Sequence, residues 1–160
     1  MPALYLLWLD DRPEDITTLI KSAKKKFDQV IVRRNLQPLQ DDLEKYTKDA
    51  TEISVCGIVI DVMLEHVKNL GSVGLENVKT PGGFTVGLEF IKYIISSKFP
   101  DIPICLLTII DDHRAKELFK EKVDPDSEIK VVEKFSGNWQ EQMEKWFDTI
   151  IKQAGGGNHE

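Results

Sequence analysis

Three carboxylates stand at the ends of two apolar runs. Leu4-Tyr5-Leu6-Leu7-Trp8-Leu9 leads directly into Asp10-Asp11, and Val55-Cys56-Gly57-Ile58-Val59-Ile60 leads into Asp61. A buried strand that stops on an acid delivers that acid to the carboxyl edge of its sheet, where open α/β sheets bind ligands. Gathered there, the acids repel. Two unit charges 4 Å apart cost about 1 kcal/mol in water and about 4 kcal/mol near a protein surface. A hard divalent cation with oxygen ligands offsets that repulsion. Two more residues extend the set: Thr108 ends the run Ile104-Cys105-Leu106-Leu107, and Lys134 follows Val131-Val132-Glu133. A carboxylate at a central strand end can attack phosphorus and form an acyl phosphate. Such transfer depends mainly on positioning and on neutralising the phosphoryl oxygens. A magnesium ion held by nearby acids does part of this. The lysine adds a second positive charge, and the threonine hydroxyl can donate to a phosphoryl oxygen.

The positioning elements alternate in type. The first strand spans about Leu4 to Leu9. Pro13 suits a first helical turn, and Glu14 and Asp15 suit its positive end. Ile16, Leu19, Ile20, Ala23 and Phe27 recur at helical spacing. A short edge strand, Val30 to Arg33, precedes a helix starting near Pro38 that buries Leu39, Leu43 and Tyr46. Val55 to Asp61 is apolar throughout, as a central strand covered on both faces would be. A third helix is expected from Phe84 to Ser97, with Phe84, Leu88, Ile91 and Ile95 on one face. After the Ile104–Thr108 strand, Asp111 or Asp112 can cap a helix burying Ala115, Leu118 and Phe119. Ile129 to Val132 makes the fifth strand. Trp139, Met143, Trp146, Phe147, Ile150 and Ile151 form the core-facing stripe of a last helix. Strict strand–helix alternation with right-handed crossovers predicts an α/β fold, a doubly wound five-stranded parallel sheet with helices on both faces.

The 160 residues suit one domain, expected over residues 1–153 with a disordered tail at 154–160. Residues 64–83 exceed an ordinary βα connection and carry Gly71, Gly74, Pro81, Gly82 and Gly83, which argue for a long inserted loop near the acidic site. The net charge of −6 argues against a nucleic-acid partner. Lys24-Lys25-Lys26 and Arg33-Arg34 read as solvated faces. Cys56 and Cys105 lie within apolar runs and read as reduced core thiols. His66, His113 and His159 lack metal-ligand spacing. No membrane partner is expected, because no apolar stretch reaches spanning length, and no signal peptide is evident. A cytoplasmic location follows as the default.

On the stretches LLWLDDRPED, GIVIDVML, VGLEFIKYI, ICLLT and VVEKF, the chain resembles the receiver domain of two-component response regulators over nearly its whole length. The resemblance implies a flavodoxin-like sheet with strand order 2-1-3-4-5. It implies that Asp61 is the phosphoacceptor, served by a histidine kinase or phosphotransfer protein. Asp10, Asp11, Asp61 and the Met63 carbonyl would hold Mg²⁺. Thr108 would be the switch hydroxyl, Lys134 would pair with the phosphoryl group, and Gly87 would be the glycine leading into the third helix. Arg12 could reach the phosphoryl group or neutralise Asp11.

Several positions depart from the receiver pattern. Phe135 replaces the proline whose cis peptide usually aims the lysine, and a cis bond before a non-proline residue costs about 3 kcal/mol. Either the backbone finds another conformation or Lys134 is aimed differently. Ile109 stands where a small residue normally gives access to the acceptor. Val131 replaces the aromatic switch residue, and the loop is long. Met63 and Ile110 are expected to hinder an attacking water and slow phosphate loss. Three functions are open: a phosphoacceptor receiver that signals through protein contacts, a non-phosphorylated pseudo-receiver acting as a binding module, and a haloacid-dehalogenase-like hydrolase. Met63 counts against the last, because such enzymes carry a second Asp there. Little chain follows Ile151, so output is expected through an unknown downstream protein, unless this is one domain of a longer protein.

Overall fold

The structure, a computed structural model, describes residues 1–62, 64 and 86–156. Five strands, β1 (Ala3–Leu9), β2 (Gln29–Arg33), β3 (Ile53–Ile60), β4 (Ile104–Thr108) and β5 (Lys130–Glu133), form one sheet. All pairings are parallel and the order is β2-β1-β3-β4-β5, as expected. A 3₁₀ turn, Pro13–Ile16, leads into helix α1 (Thr17–Lys24); α2 spans Leu36–Tyr46. Helix α3 is composite: Val86–Phe90, a π-helical Ile91–Ile95 and a last turn Ser96–Lys98. Helix α4 is Asp112–Lys122 and α5 is Trp139–Gly156.

Side chains alternate across a strand, and the core divides accordingly. Leu7, Leu9, Ile58, Ile60, Leu106 and Val131 face α2, α3 and α4. Leu6, Trp8, Val59, Cys105, Leu107 and Val132 face α1 and α5. The register of β1 against β3 jumps from Tyr5↔Val55 to Leu6↔Gly57, leaving Cys56 as an extra, bulged residue. The bulge resets the alternation, so Gly57 faces α5. A Cβ there would lie 2.8 Å from Ile150 Cδ1 and 2.9 Å from Trp146 Cη2. The last helix therefore packs this closely only over a glycine.

Some sequence boundaries need correction. Helix α2 begins at Leu36 rather than near Pro38, because buried Leu36 extends its apolar face. The α3 described begins at Val86; Phe84 lies outside the described residues, as do residues 65–83 of the loop expected over 64–83, whereas Leu64 is buried in the core. Helix α5 continues through Gly156, so residues 154–156 are helical and do not belong to a disordered tail. Asp111, not Asp112, caps α4, accepting from the Arg114 amide at 3.0 Å. Among the described residues, no helix is long and apolar enough to cross a membrane.

Candidate functional site

The carboxyl ends of β1, β3, β4 and β5 lie side by side, and backbone hydrogen bonds lock their ends in register. The Asp10 amide donates to the Arg33 carbonyl at 3.0 Å, and the Asp61 amide donates to the Leu9 carbonyl at 3.0 Å. The Lys134 amide donates to the Thr108 carbonyl at 2.8 Å. Each ladder continues one residue beyond its strand, and this places the polar side chains on a common edge.

Asp10, Asp11 and Asp61 are all buried, and one carboxylate oxygen from each lies within 4.8 Å of the others. Lys134 enters from β5, 8% exposed, with Nζ 2.8 Å from Asp10 Oδ2 and 2.9 Å from Asp61 Oδ2. Burial alone would lower the lysine's pKa. The attraction of Asp61 and Asp10, with their hydrogen bonds, outweighs it and raises the pKa, so the ammonium is charged at neutral pH. Lys134 offsets part of the negative charge of these acids. Clustered carboxylate oxygens are the donor set a hard cation such as Mg²⁺ takes, so Asp10, Asp11 and Asp61 fit such an ion. Met63, whose carbonyl was expected to join them, lies outside the described residues.

Thr108 reaches the same edge but is fully buried, and its Oγ1 accepts from the Ile110 amide at 3.4 Å. Above the acids opens a cleft of about 150 Å³, lined by Asp11, Arg12, Asp15, Asp61, Ile109, Lys134 and Phe135. Ile109 and Phe135 form its apolar rim, 56% and 59% exposed. Ile110, expected beside the acceptor, instead packs half-buried against the α2–α3–α4 side of the core. The α3 helix bears on the site from below. A Cβ at Gly87 would overlap the Asp61 carbonyl oxygen and lie 3.1 Å from Ile60 Cγ2.

The Lys134–Phe135 linkage has a definite solution. The described residues hold no cis peptide bond, and Phe135 takes φ 65° instead. That left-handed turn lets Lys134 reach both acids without proline. Its ring stacks edge-on to Trp139, with centroids 5.4 Å apart.

Other supporting contacts were not foreseen. Arg33 and Arg34, read as a solvated face, stay 40% and 57% exposed and also make specific contacts. Arg33 makes a two-pronged bond to buried Asp42, at 2.7 and 3.0 Å, and Arg34 donates to the Asp11 carbonyl at 3.2 Å. The Asp10 carboxylate accepts from the Arg12 amide at 2.8 Å, and the Arg12 guanidinium pairs with Asp15 at 3.1 Å. These pairings join residues of different elements or loop turns. Periodicity carries no signal for them.

Comparison with protein-family models and with curated proteins finds no match. Solved structures do match. The beryllofluoride-activated DrrB receiver domain superposes with TM-score 0.57 at 16% identity, over 95% of this chain and 99% of that one. The chemotaxis response regulator CheY4 of Vibrio cholerae matches with TM-score 0.58 at 18% identity, over 94% and 99%. The RcsB response regulator of Salmonella typhimurium matches with TM-score 0.61 at 17% identity, over 96% of this chain but 61% of its own. The fold of this chain is that of the response-regulator receiver domains it is similar to.

Proposed function

From that fold, we propose that the chain is a phosphoacceptor switch that takes a phosphoryl group on Asp61 and signals through protein contacts. The observation that carries this reading is Lys134 held between Asp10 and Asp61 beside a third buried acid. An acidic cluster at the open end of a central strand, with one lysine between two of its acids, suits a divalent cation, and the cation and the lysine together would then receive a phosphoryl group.

Asp10, Asp11 and Asp61 would hold Mg²⁺, which when bound neutralises the phosphoryl oxygens. The donor is a phosphohistidine on a kinase or phosphotransfer protein. An Asp61 carboxylate oxygen attacks phosphorus, the new O–P bond forms as the N–P bond breaks, and the leaving imidazole nitrogen takes up a proton. Lys134 already touches Asp61 and would follow the new charge. Thr108 would trade its bond with the Ile110 amide for one to a phosphoryl oxygen. This moves the start of the β4–α4 connection and carries the event toward α4, β5 and α5. No turnover of a substrate is involved, and a cytoplasmic setting beside a kinase accords with this role.

Incubation with a small phosphodonor and Mg²⁺ tests the reading. Wild type is expected to take up one base-labile phosphate per chain, and Asp61→Asn none. Equal, negligible labelling of both proteins would leave the pseudo-receiver reading, which the bulky rim at Ile109 favours. Steady release of phosphate from phosphomonoesters would point to a hydrolase.

A further inference from the structure

Charge balance at the site extends beyond the five residues already assigned. With Mg²⁺ in place, Asp10, Asp11, Asp61 and Lys134 reach neutrality. Phosphorylation replaces the single charge of Asp61 with roughly two on the phosphoryl group, so about one negative charge is left over. Among the described residues lining the cleft, the remaining charges are one cation, Arg12, and one further acid, Asp15, which pairs with it. Resting on the phosphoacceptor reading above, we propose that Arg12 is a phosphoryl-binding residue, and that Asp15 holds it off the site until the phosphoryl group arrives.

The geometry supports each half of this. The backbone of Arg12 is fixed. Its amide donates to Asp10 Oδ1 at 2.8 Å, its carbonyl accepts from the Asp15 amide at 3.1 Å, and Pro13 restricts its conformation. The side chain therefore starts from a rigid point at the rim. The far end is loosely tethered: the Arg12–Asp15 pair is 58% and 42% exposed, and pairs of that kind contribute little. A guanidinium matches the spacing of phosphoryl oxygens and binds them through two parallel N–H donors. Lys134, buried between two acids, is a point charge committed to the floor of the site. Arg12 lines the same cleft as Asp61 and is more than half exposed, so it would meet the phosphoryl group from the rim. Asp15 lines the same cleft, so Arg12 would exchange one partner for the other within it.

Beryllofluoride, which mimics a phosphorylated carboxylate, provides the test in titrations with Mg²⁺ followed by calorimetry. Arg12→Gln is expected to bind beryllofluoride about tenfold more weakly than wild type, in line with loss of a charged hydrogen-bond donor. Its Mg²⁺ affinity without beryllofluoride should not fall, because a nearby positive charge has gone. Asp15→Asn is expected to shift the other way and bind beryllofluoride two- to threefold more tightly. A merely structural role for the Arg12–Asp15 pair would move both variants in the same direction. Equal beryllofluoride affinity of wild type and Arg12→Gln would overturn the assignment of Arg12 and leave the phosphoacceptor reading standing. Failure of wild type itself to bind beryllofluoride in saturating Mg²⁺ would overturn that reading, and this inference with it.

Discussion

At the scale of single residues, the positions that depart from the receiver pattern have physical solutions. Phe135 in the left-handed region costs about 1–2 kcal/mol for a side chain with a Cβ. Its edge-on contact with Trp139 returns part of that, since aromatic pairs contribute about 0.5–1.5 kcal/mol beyond burial. Ile109 is a different case. It is half exposed on the cleft rim, so its bulk borders the cleft that Asp61 lines rather than filling the core. Ile109→Ala should leave the melting temperature within about 2 °C, because the side chain buries little. It should hasten phosphate loss from phosphorylated protein several-fold by admitting water. Acyl-phosphate decay followed by ³²P release would check both the direction and the residue; an unchanged half-life would remove Ile109 from the role of shield.

At the scale of elements, the fit of α5 over the sheet depends on Gly57. Trp146 and Ile150 occupy the space a Cβ would need, and Pro103 O lies 3.3 Å from it. Gly57→Val should cost about 2–3 kcal/mol, as overpacked cores do, lowering the midpoint in urea while the slope is unchanged. The elements differ in how far they are written in the sequence. The Asp10, Asp61 and Thr108 strand ends are legible because apolar runs stop abruptly on polar residues. Helix α5 is legible because six apolar residues keep helical spacing over thirteen positions. The β3 bulge is not, since Val55 to Ile60 is apolar at every position and a shift of phase leaves no mark. The Arg33–Asp42 pair is not, because it forms between a strand and a helix that meet only on folding. The turn at Phe135 was legible only as a conflict: a residue that cannot adopt the usual bond in a place that needs the lysine turned inward.

At the scale of the whole molecule, the acidic site is a local instability that the fold tolerates. Lys134 offsets it, so Lys134→Ala should cost about 3 kcal/mol, the order found when one partner of a buried ion pair is removed. Mg²⁺ at about a hundred times its Kd stabilises a protein by about 2.7 kcal/mol, so the variant's thermal midpoint should depend on Mg²⁺ more steeply than wild type's. A midpoint insensitive to Mg²⁺ in both proteins would contradict the metal assignment. The pH dependence has a definite sign. The folded lysine's pKa is raised above its ordinary 10.5, so its contribution is complete below that value. It is lost only as pH rises past the folded pKa. Urea midpoints should therefore show no Lys134-dependent loss between pH 7 and 10 and a decline at higher pH that Lys134→Ala lacks. One contact has a wider consequence. The Gly87 amide donates to the Val62 carbonyl at 3.3 Å, and Leu64 and Val86 are buried in the same side of the core. These contacts tie the end of β3 to the start of α3. That tie makes the position of Asp61 depend on the first turn of α3, so a side chain introduced at Gly87 should displace the strand end itself.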